Sequence, residues 1–275
     1  MLFGSRRSTI EHIAEQVRSL GVAPGDRIFV HTALRKTKIH PDDVPKLFAA
    51  YREVLGPEGA LFFPTHTYSC RGAVTCPPFH PDLRCDRSIG IWPELARKEP
   101  GVIRSSNPTH SAAGIGKDAA EILAGHDRVQ PVGEDSPLDR LRKAGGKVLL
   151  IGCGFESCTL LHLAEYYADV PYLHLPCAGF DPVAVIARPN GTLEERPIEV
   201  IPGCSGGFPK FEKAFRKAGL IRDGRIGKAK TMLCEMQPLL DAAVSLLRTN
   251  PMGYLCDRLC PTCTGRREQV REAGL

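Results

Sequence analysis

Apolar residues recur along this chain at two different spacings, and the switches between them mark out its elements. The clearest switch lies at 147–167, KVLLIGCGFESCTLLHLAEYY. Residues 147–151 are a nearly unbroken aliphatic run, the pattern of a strand buried on both faces. A Gly-Cys-Gly turn follows. Leu160, Leu163, Ala164 and Tyr167 then recur at helical spacing, while Cys158, His162, Glu165 and Asp169 are spaced by three and four residues on the other side. The stretch reads as strand, turn and amphipathic helix, with an imidazole flanked by a thiol and carboxylates on its polar face.

The same two periods order the rest. Ser8 and Glu11 form a capping-box pattern for a helix that Gly21 ends. The strand RIFV leads into His31-Thr32-Ala33-Leu34, and a helix over 41–55 carries Asp42 and Asp43 in its first turn. A strand at 59–64 ends in Thr65-His66-Thr67. The long segment 68–87 contains Cys70, Cys76 and Cys85, and a helix over 89–98 carries Trp92. RSSNPTHS at 104–111 reads as an ordered loop, followed by a short helix at 117–124. Ser136-Pro137 opens another helix, with a good N-cap and proline in the first turn.

Beyond the central stretch, Asn190-Gly191 between VAVIAR and the segment ending in IEVI predicts an antiparallel hairpin. Cys204-Ser205-Gly206-Gly207 is a flexible loop. A helix spans 209–219, a strand falls within 226–236, and a helix spans 238–248. Strands alternating with helices, plus one hairpin, predict an α/β fold. It is a single domain over 1–255 with a mixed, partly antiparallel sheet flanked by helices. A Cys/Arg-containing C-terminal tail follows at 256–275.

Composition narrows the class. With 43% hydrophobic and 24% charged residues, the chain is an ordinary folded protein. It lacks an apolar run near 18 residues and a signal-peptide core, so a cytoplasmic protein with no membrane partner is expected. A net charge of +5, spread along the chain, gives no reason to expect nucleic acid. Eleven cysteines without a leader suggest reduced thiols. Oligomeric state stays open, a dimer included.

Three chemistries compete at the central stretch. Gly152-Cys-Gly154 resembles a dinucleotide-binding turn, but Ser157 stands where the third glycine belongs. Cys158 and His162, four residues apart, could form a nucleophile pair. Alternatively, His162 is a general base whose neighbouring acid fixes its tautomer, which suits acyl transfer from a thioester to an amine. Thr32, Thr109, Ser111 and Ser136 could then bond a pantetheine arm, or could be serving turn geometry alone.

The order VHTAL, LGPEGALFFPTHTYS, GVIRSSNPTHSAAGIG, SPLDRL and GKVLLIGCGFESCTLLHLAE resembles the aminoglycoside 3-N-acetyltransferase family, from about residue 8 to 255. That resemblance implies an α/β fold distinct from Gcn5-type acetyltransferases. It also implies direct transfer of acetyl from acetyl-CoA to an amine of an aminoglycoside-like substrate. The histidine of LHLAE, His162, is implied as general base, with Glu165 as its acidic partner. His31, Thr32, Ala33 and Leu34 match a CoA-contacting strand end. Ser136 matches a helix start near the cofactor, and Thr109, His110 and Ser111 match the family's PTHS segment, which the resemblance implies lies beside the thioester. A histidine that holds two loops together is the other reading of His110.

Departures from the family pattern bear on the acceptor. The segment SCRGAVTCPPFHPDLRC has only Asp82 as an acid, and EVIPGCSGGF has only Glu199, which competes with Glu165 as partner of His162. Like charges resist a desolvated polycation, so another amine, in a biosynthetic pathway, is an alternative acceptor. A catalytically silent CoA-binding module is a further alternative. Cys256, Cys260 and Cys263 have zinc-like spacing, but structural zinc needs four ligands. The fourth would have to come from Cys85, Cys234 or a histidine, and reduced thiols without metal are the preferred reading.

Overall fold

A computed structural model describes residues 10–67, 77–175, 183–197, 202–257 and 260–274. Its centre is the set of strands whose sequences read as buried runs. β1 (Arg27–Thr32) lies between β2 (Ala60–Pro64) and β5 (Lys147–Ile151), parallel to both. β3 (Ile103–Arg104) and β4 (Ala112–Gly116) extend the sheet antiparallel beyond β2. On the far side of β5 come β9 (Ala229–Glu235) and β8 (Arg222–Ile226), giving the order β3-β4-β2-β1-β5-β9-β8. The sheet is mixed, as expected. β8 is an addition: RDGRI is polar enough to be mistaken for loop, yet as an edge strand it buries only Ile226.

Helices cover both faces, and the strand period sorts the core between them. In β5, Val148 and Leu150 face one core layer while Leu149 and Ile151 face the other. The second layer is built from α1 (Ile10–Ser19), the short α2 (Leu34–Thr37), α3 (Val44–Leu55) and α4 (Ile91–Ala96). There Trp92 meets Phe63 edge-on at 4.9 Å. The first layer takes α5 (Ala119–Leu123), α6 (Pro137–Lys143), α7 (Leu160–Ala168), α8 (Glu212–Lys217), α9 (Met236–Thr249) and α10 (Pro261–Glu272). Among the described residues no helix is long and apolar enough to cross a membrane.

Several boundaries differ from the sequence reading. The Asn-Gly hairpin forms, with β6 (Val183–Ala187) antiparallel to β7 (Leu193–Pro197), but as a separate two-stranded sheet. It is held instead to the segment before α4, where the Phe79 N–H donates to Val185 and Phe79 accepts from Ala187 N–H, both at 2.8 Å. The segment from 256 onward joins the main body. Cys256, Cys263 and Val270 belong to the first core layer. Ser8, Cys70, Cys76 and Glu199 lie outside the described residues.

Glu94 on α4 ties the described part of the 68–87 segment to this frame. Its carboxylate accepts from Cys85 N–H at 3.0 Å and from Arg97 through two bonds of 2.9 Å, with Lys98 at 3.0 Å. Burial alone would raise this carboxyl, but the donors from Arg97, Cys85 and Lys98 override it and hold the pKa down at about 2. A depressed carboxyl contributes stability above its unfolded pKa and loses it as pH falls toward the folded one. Glu94→Gln is therefore expected to lower unfolding free energy near neutrality by about 1.5–3 kcal/mol. In urea melts, the gap to wild type should shrink as pH drops from about 4.3 toward 2. A gap independent of pH would contradict this.

Candidate active site

The parallel strands β2, β1 and β5 all point their C-terminal ends the same way, and there the chain opens a cavity of about 440 Å³. Open α/β sheets place ligands at this end. His31, Thr32 and Ala33 come from the end of β1, Pro64 and His66 from β2, and Cys153 from the turn after β5. His162 on α7 closes one side, and Ser88–Gly90 and Ser205 reach in from loops. Gly152 holds φ +66°, and a Cβ there would sit 2.9 Å from Lys36 Cβ, so the turn that aims the chain into α7 requires glycine.

His162 is oriented from two sides. Its Nδ1 lies 2.7 Å from Glu165 Oε2, one helical turn on, with both side chains largely buried. Glu165 Oε1 in turn accepts from the Tyr172 hydroxyl at 3.0 Å. A carboxylate anion can only accept, so the proton of the pair sits on Nδ1 and Nε2 carries the free lone pair. Phe208 stands edge-on to the imidazole, its centroid 4.7 Å away. Glu165 is thus in hydrogen-bond contact with the imidazole; Glu199, the other candidate acid, lies outside the described residues.

The other cavity histidines are neutral. Burial pushes His31 down to about 3. His66 is held well below its ordinary value, by burial first and then by the repulsion a second charge would meet from the neighbouring imidazoles His31, His162 and His126 when protonated, and from Arg104. Buried His31 Nε2 and Thr32 Oγ1 have no hydrogen-bond partner among the described residues, and such atoms call for a ligand's polar group. Glu156 is the one carboxylate among the described lining residues, which include no lysine or arginine.

Several expected residues lie elsewhere. Leu34 is buried in the second core layer at the start of α2. Ser136 is fully buried and caps α6, accepting from Asp139 N–H. Thr109, His110 and Ser111 form a layer behind His66 rather than cavity wall. Asn107 Oδ1 accepts from the backbone of Thr109 and His110, and Ser111 Oγ donates to Thr65 O at 2.7 Å. The His110 ring lies 4.7 Å from that of His66. His110 therefore sits where it braces a cavity residue. Cys158, just before α7, does line the cavity, but its side chain is buried in the first core layer and not displayed on a polar face.

Sequence spacing did not single out Phe208 and Tyr172, whereas His66 carried a signal as a second strand-end histidine after His31, and Ser205 as part of a flexible loop able to serve a site. Tyr172 lies beyond the αL residue Asp169 that ends α7, where helical spacing no longer predicts a neighbour.

Comparison with known proteins gives the lineage. The family model described as aminoglycoside 3-N-acetyltransferase matches residues 29–248. The chain belongs to this family. Aminoglycoside N(3)-acetyltransferase IX of Micromonospora chalcea is 30% identical, over 87% of this chain and 92% of its own. Aminoglycoside N(3)-acetyltransferase VII of Streptomyces paromomycinus is 28% identical, over 86% and 90%. Among solved structures, AAC-IIIb in binary complex with CoASH superposes with TM-score 0.77 at 30% identity, over 88% of this chain and 97% of that one. A histidine-to-alanine mutant of AAC(3)-IVa in complex with gentamicin gives 0.84 at 26%, over 97% and 99%.

Burial keeps the cavity thiols protonated. It raises Cys153 to about 11 and Cys158 further still. Iodoacetamide at pH 8 is expected to leave Cys158 unmodified in the native enzyme and to alkylate it fully in urea, read by peptide mass spectrometry. Rapid native labelling of Cys158 would revive the nucleophile-pair reading.

Proposed function

We propose that this protein is an acetyl-CoA-dependent N-acetyltransferase in which His162 is the general base that activates an amine of an aminoglycoside-like acceptor. The observation that carries the base assignment is the chain Tyr172–Glu165–His162, which occupies Nδ1 and leaves the Nε2 lone pair to a largely buried imidazole that lines the cavity. Membership of the aminoglycoside 3-N-acetyltransferase family and the likeness to a CoASH complex support the activity and the co-substrate.

In the reaction, the acceptor nitrogen attacks the thioester carbonyl and His162 Nε2 takes the proton that nitrogen sheds. Glu165 stabilises the imidazolium so formed, and Tyr172 keeps the carboxylate in place. The tetrahedral intermediate collapses with cleavage of the C–S bond. The sulfur leaves with the proton returned by His162, giving an acetamide and CoA thiol. No enzyme nucleophile is needed, which agrees with a protonated, buried Cys158.

The charge argument from the sequence also changes. Among the described lining residues the carboxylate of Glu156 stands beside histidines that burial holds neutral, His31 and His66. A carboxylate in a described lining that holds no lysine or arginine favours a cationic amine. The unpartnered polar atoms of His31 and Thr32 are suited to polar groups of the pantetheine arm. We read the cytoplasm as the place of action, where acetyl-CoA is available and free thiols stay reduced.

The test is thiol release from acetyl-CoA across an aminoglycoside panel, with the protein's own thiols blanked. His162→Ala should lower kcat by roughly 10²–10⁴-fold while calorimetry shows CoA affinity unchanged. Glu165→Gln should give an intermediate loss, because the ring keeps a hydrogen-bonding neighbour without its charge. Undiminished turnover by His162→Ala removes the base assignment. A wild type that binds CoA and acetylates no amine would instead be a binding module.

A further inference from the structure

On the far side of Phe208 from the cavity, four cysteines converge. Cys204 comes from the loop before Phe208, Cys256 from the end of the 3₁₀ turn at Pro251–Tyr254, and Cys260 and Cys263 from the start of α10. Their sulfur atoms all lie within 4.8 Å of one another, with Cys204 and Cys256 at 3.8 Å. All four are free thiols, Cys256 and Cys263 buried and the other two half-buried. A tetrahedron of thiolates around zinc, with bonds of about 2.3 Å, has edges of about 3.8 Å.

We propose that Cys204, Cys256, Cys260 and Cys263 bind a structural zinc ion that clips the loop carrying Ser205 and Phe208 to the C-terminal helix α10. Cys204 supplies the ligand that the Cys-x3-Cys-x2-Cys sequence lacks, from 52 residues upstream of Cys256. Neither Cys85, Cys234 nor a histidine takes that place in the cluster. Four sulfurs and no vacant ligand position are the set of a closed structural site rather than a catalytic one.

The surroundings are those of a thiolate site. Gly206 N–H points at Cys204 Sγ, at 3.3 Å. Four thiolates around a divalent ion leave net negative charge, and cations stand close by. Arg267 donates to Cys256 O at 2.8 Å, and Lys210 bonds Leu255 O at 2.8 Å and Asp257 at 2.7 Å. The loop must also come close. A Cβ on Gly206 would lie 3.2 Å from both Cys204 Sγ and Cys256 Cβ, and one on Gly207 only 2.0 Å from the Tyr254 carbonyl.

The clip reaches His162 by two routes. Ser205 and Phe208 follow Cys204 directly, one lining the cavity and the other packing on the imidazole. Three residues after Cys263, buried Arg266 lies 4.8 Å from the Tyr172 ring, whose hydroxyl holds Glu165. Zinc therefore fixes both the wall and the support of the base. This second statement rests on the acetyl-transfer reading; the metal site does not.

Full-length protein expressed with added Zn²⁺ should contain close to one zinc per chain by mass spectrometric metal analysis. Cys204→Ser and Cys263→Ser should each lose it, whereas Cys85→Ala, outside the cluster, should keep it. Co²⁺ exchanged into the wild type should show strong thiolate charge-transfer absorption and the visible bands of a tetrahedral site, a readout independent of whether any variant folds. Chelation should lower the thermal midpoint, with turnover falling in step with zinc loss. The metal site is overturned by substoichiometric zinc that Cys204→Ser leaves unchanged, by iron in its place, by a Cys204–Cys256 disulfide in the alkylated protein, or by a cobalt spectrum without thiolate bands. Zinc loss that lowers the midpoint without changing turnover would retain the metal and refute its link to His162.

Discussion

The bond between His162 and Glu165 is the constraint around which this molecule is arranged. A carboxylate taken out of water is costly unless donors converge on it. Glu165 is 4% exposed and meets that condition with the imidazole on one oxygen and Tyr172 on the other. Each donor then has to be held in its turn. His162 is fixed by its place on α7 and by Phe208, and Tyr172 by burial and by Arg266 against its ring. The polar face of one short helix thereby acquires partners from three separate stretches of chain.

The sheet decides where that face looks. Because β1 runs parallel to both β2 and β5, three strand ends deliver polar residues to one edge. His31 and His66 arrive there buried and hence neutral, so they add hydrogen-bonding capacity without adding positive charge. His162 is hydrogen-bonded to the carboxylate of Glu165. Among three imidazoles at one cavity, desolvation and a single acidic neighbour assign the roles.

Elements with a continuous apolar run or a strong turn signal were legible from the sequence: β1, β2, β5, the Asn-Gly hairpin, and α7 with His162 and Glu165 one turn apart. The period of 3.6 carries that last contact, so it needs no tertiary information. What stayed hidden depends on long-range placement. β8 carries too little apolar surface to announce itself, and the hairpin's pairing with Phe79 is a contact across about 100 residues of chain. Cys158 was misplaced because helical spacing was extended through a turn that belongs to a 3₁₀ segment, Phe155–Ser157.

The loop before Phe208 shows why the C-terminal segment belongs to the working enzyme. Gly206 and Gly207 allow that loop to lie against the 254–256 backbone, but paired glycines also carry the largest backbone entropy to be lost on folding. Something must offset that loss, or Phe208 would not stay over the imidazole. Aromatic packing supplies part, as Phe211 stacks on Tyr254 at 3.8 Å and on Phe215 at 5.4 Å. Those contacts lie downstream of Phe208. Cys204 lies upstream, so a four-sulfur clip there closes the loop from the other end and fixes Ser205 and Phe208 between two anchors. The position of His162 then depends on residues near the C-terminus as much as on the helix that carries it.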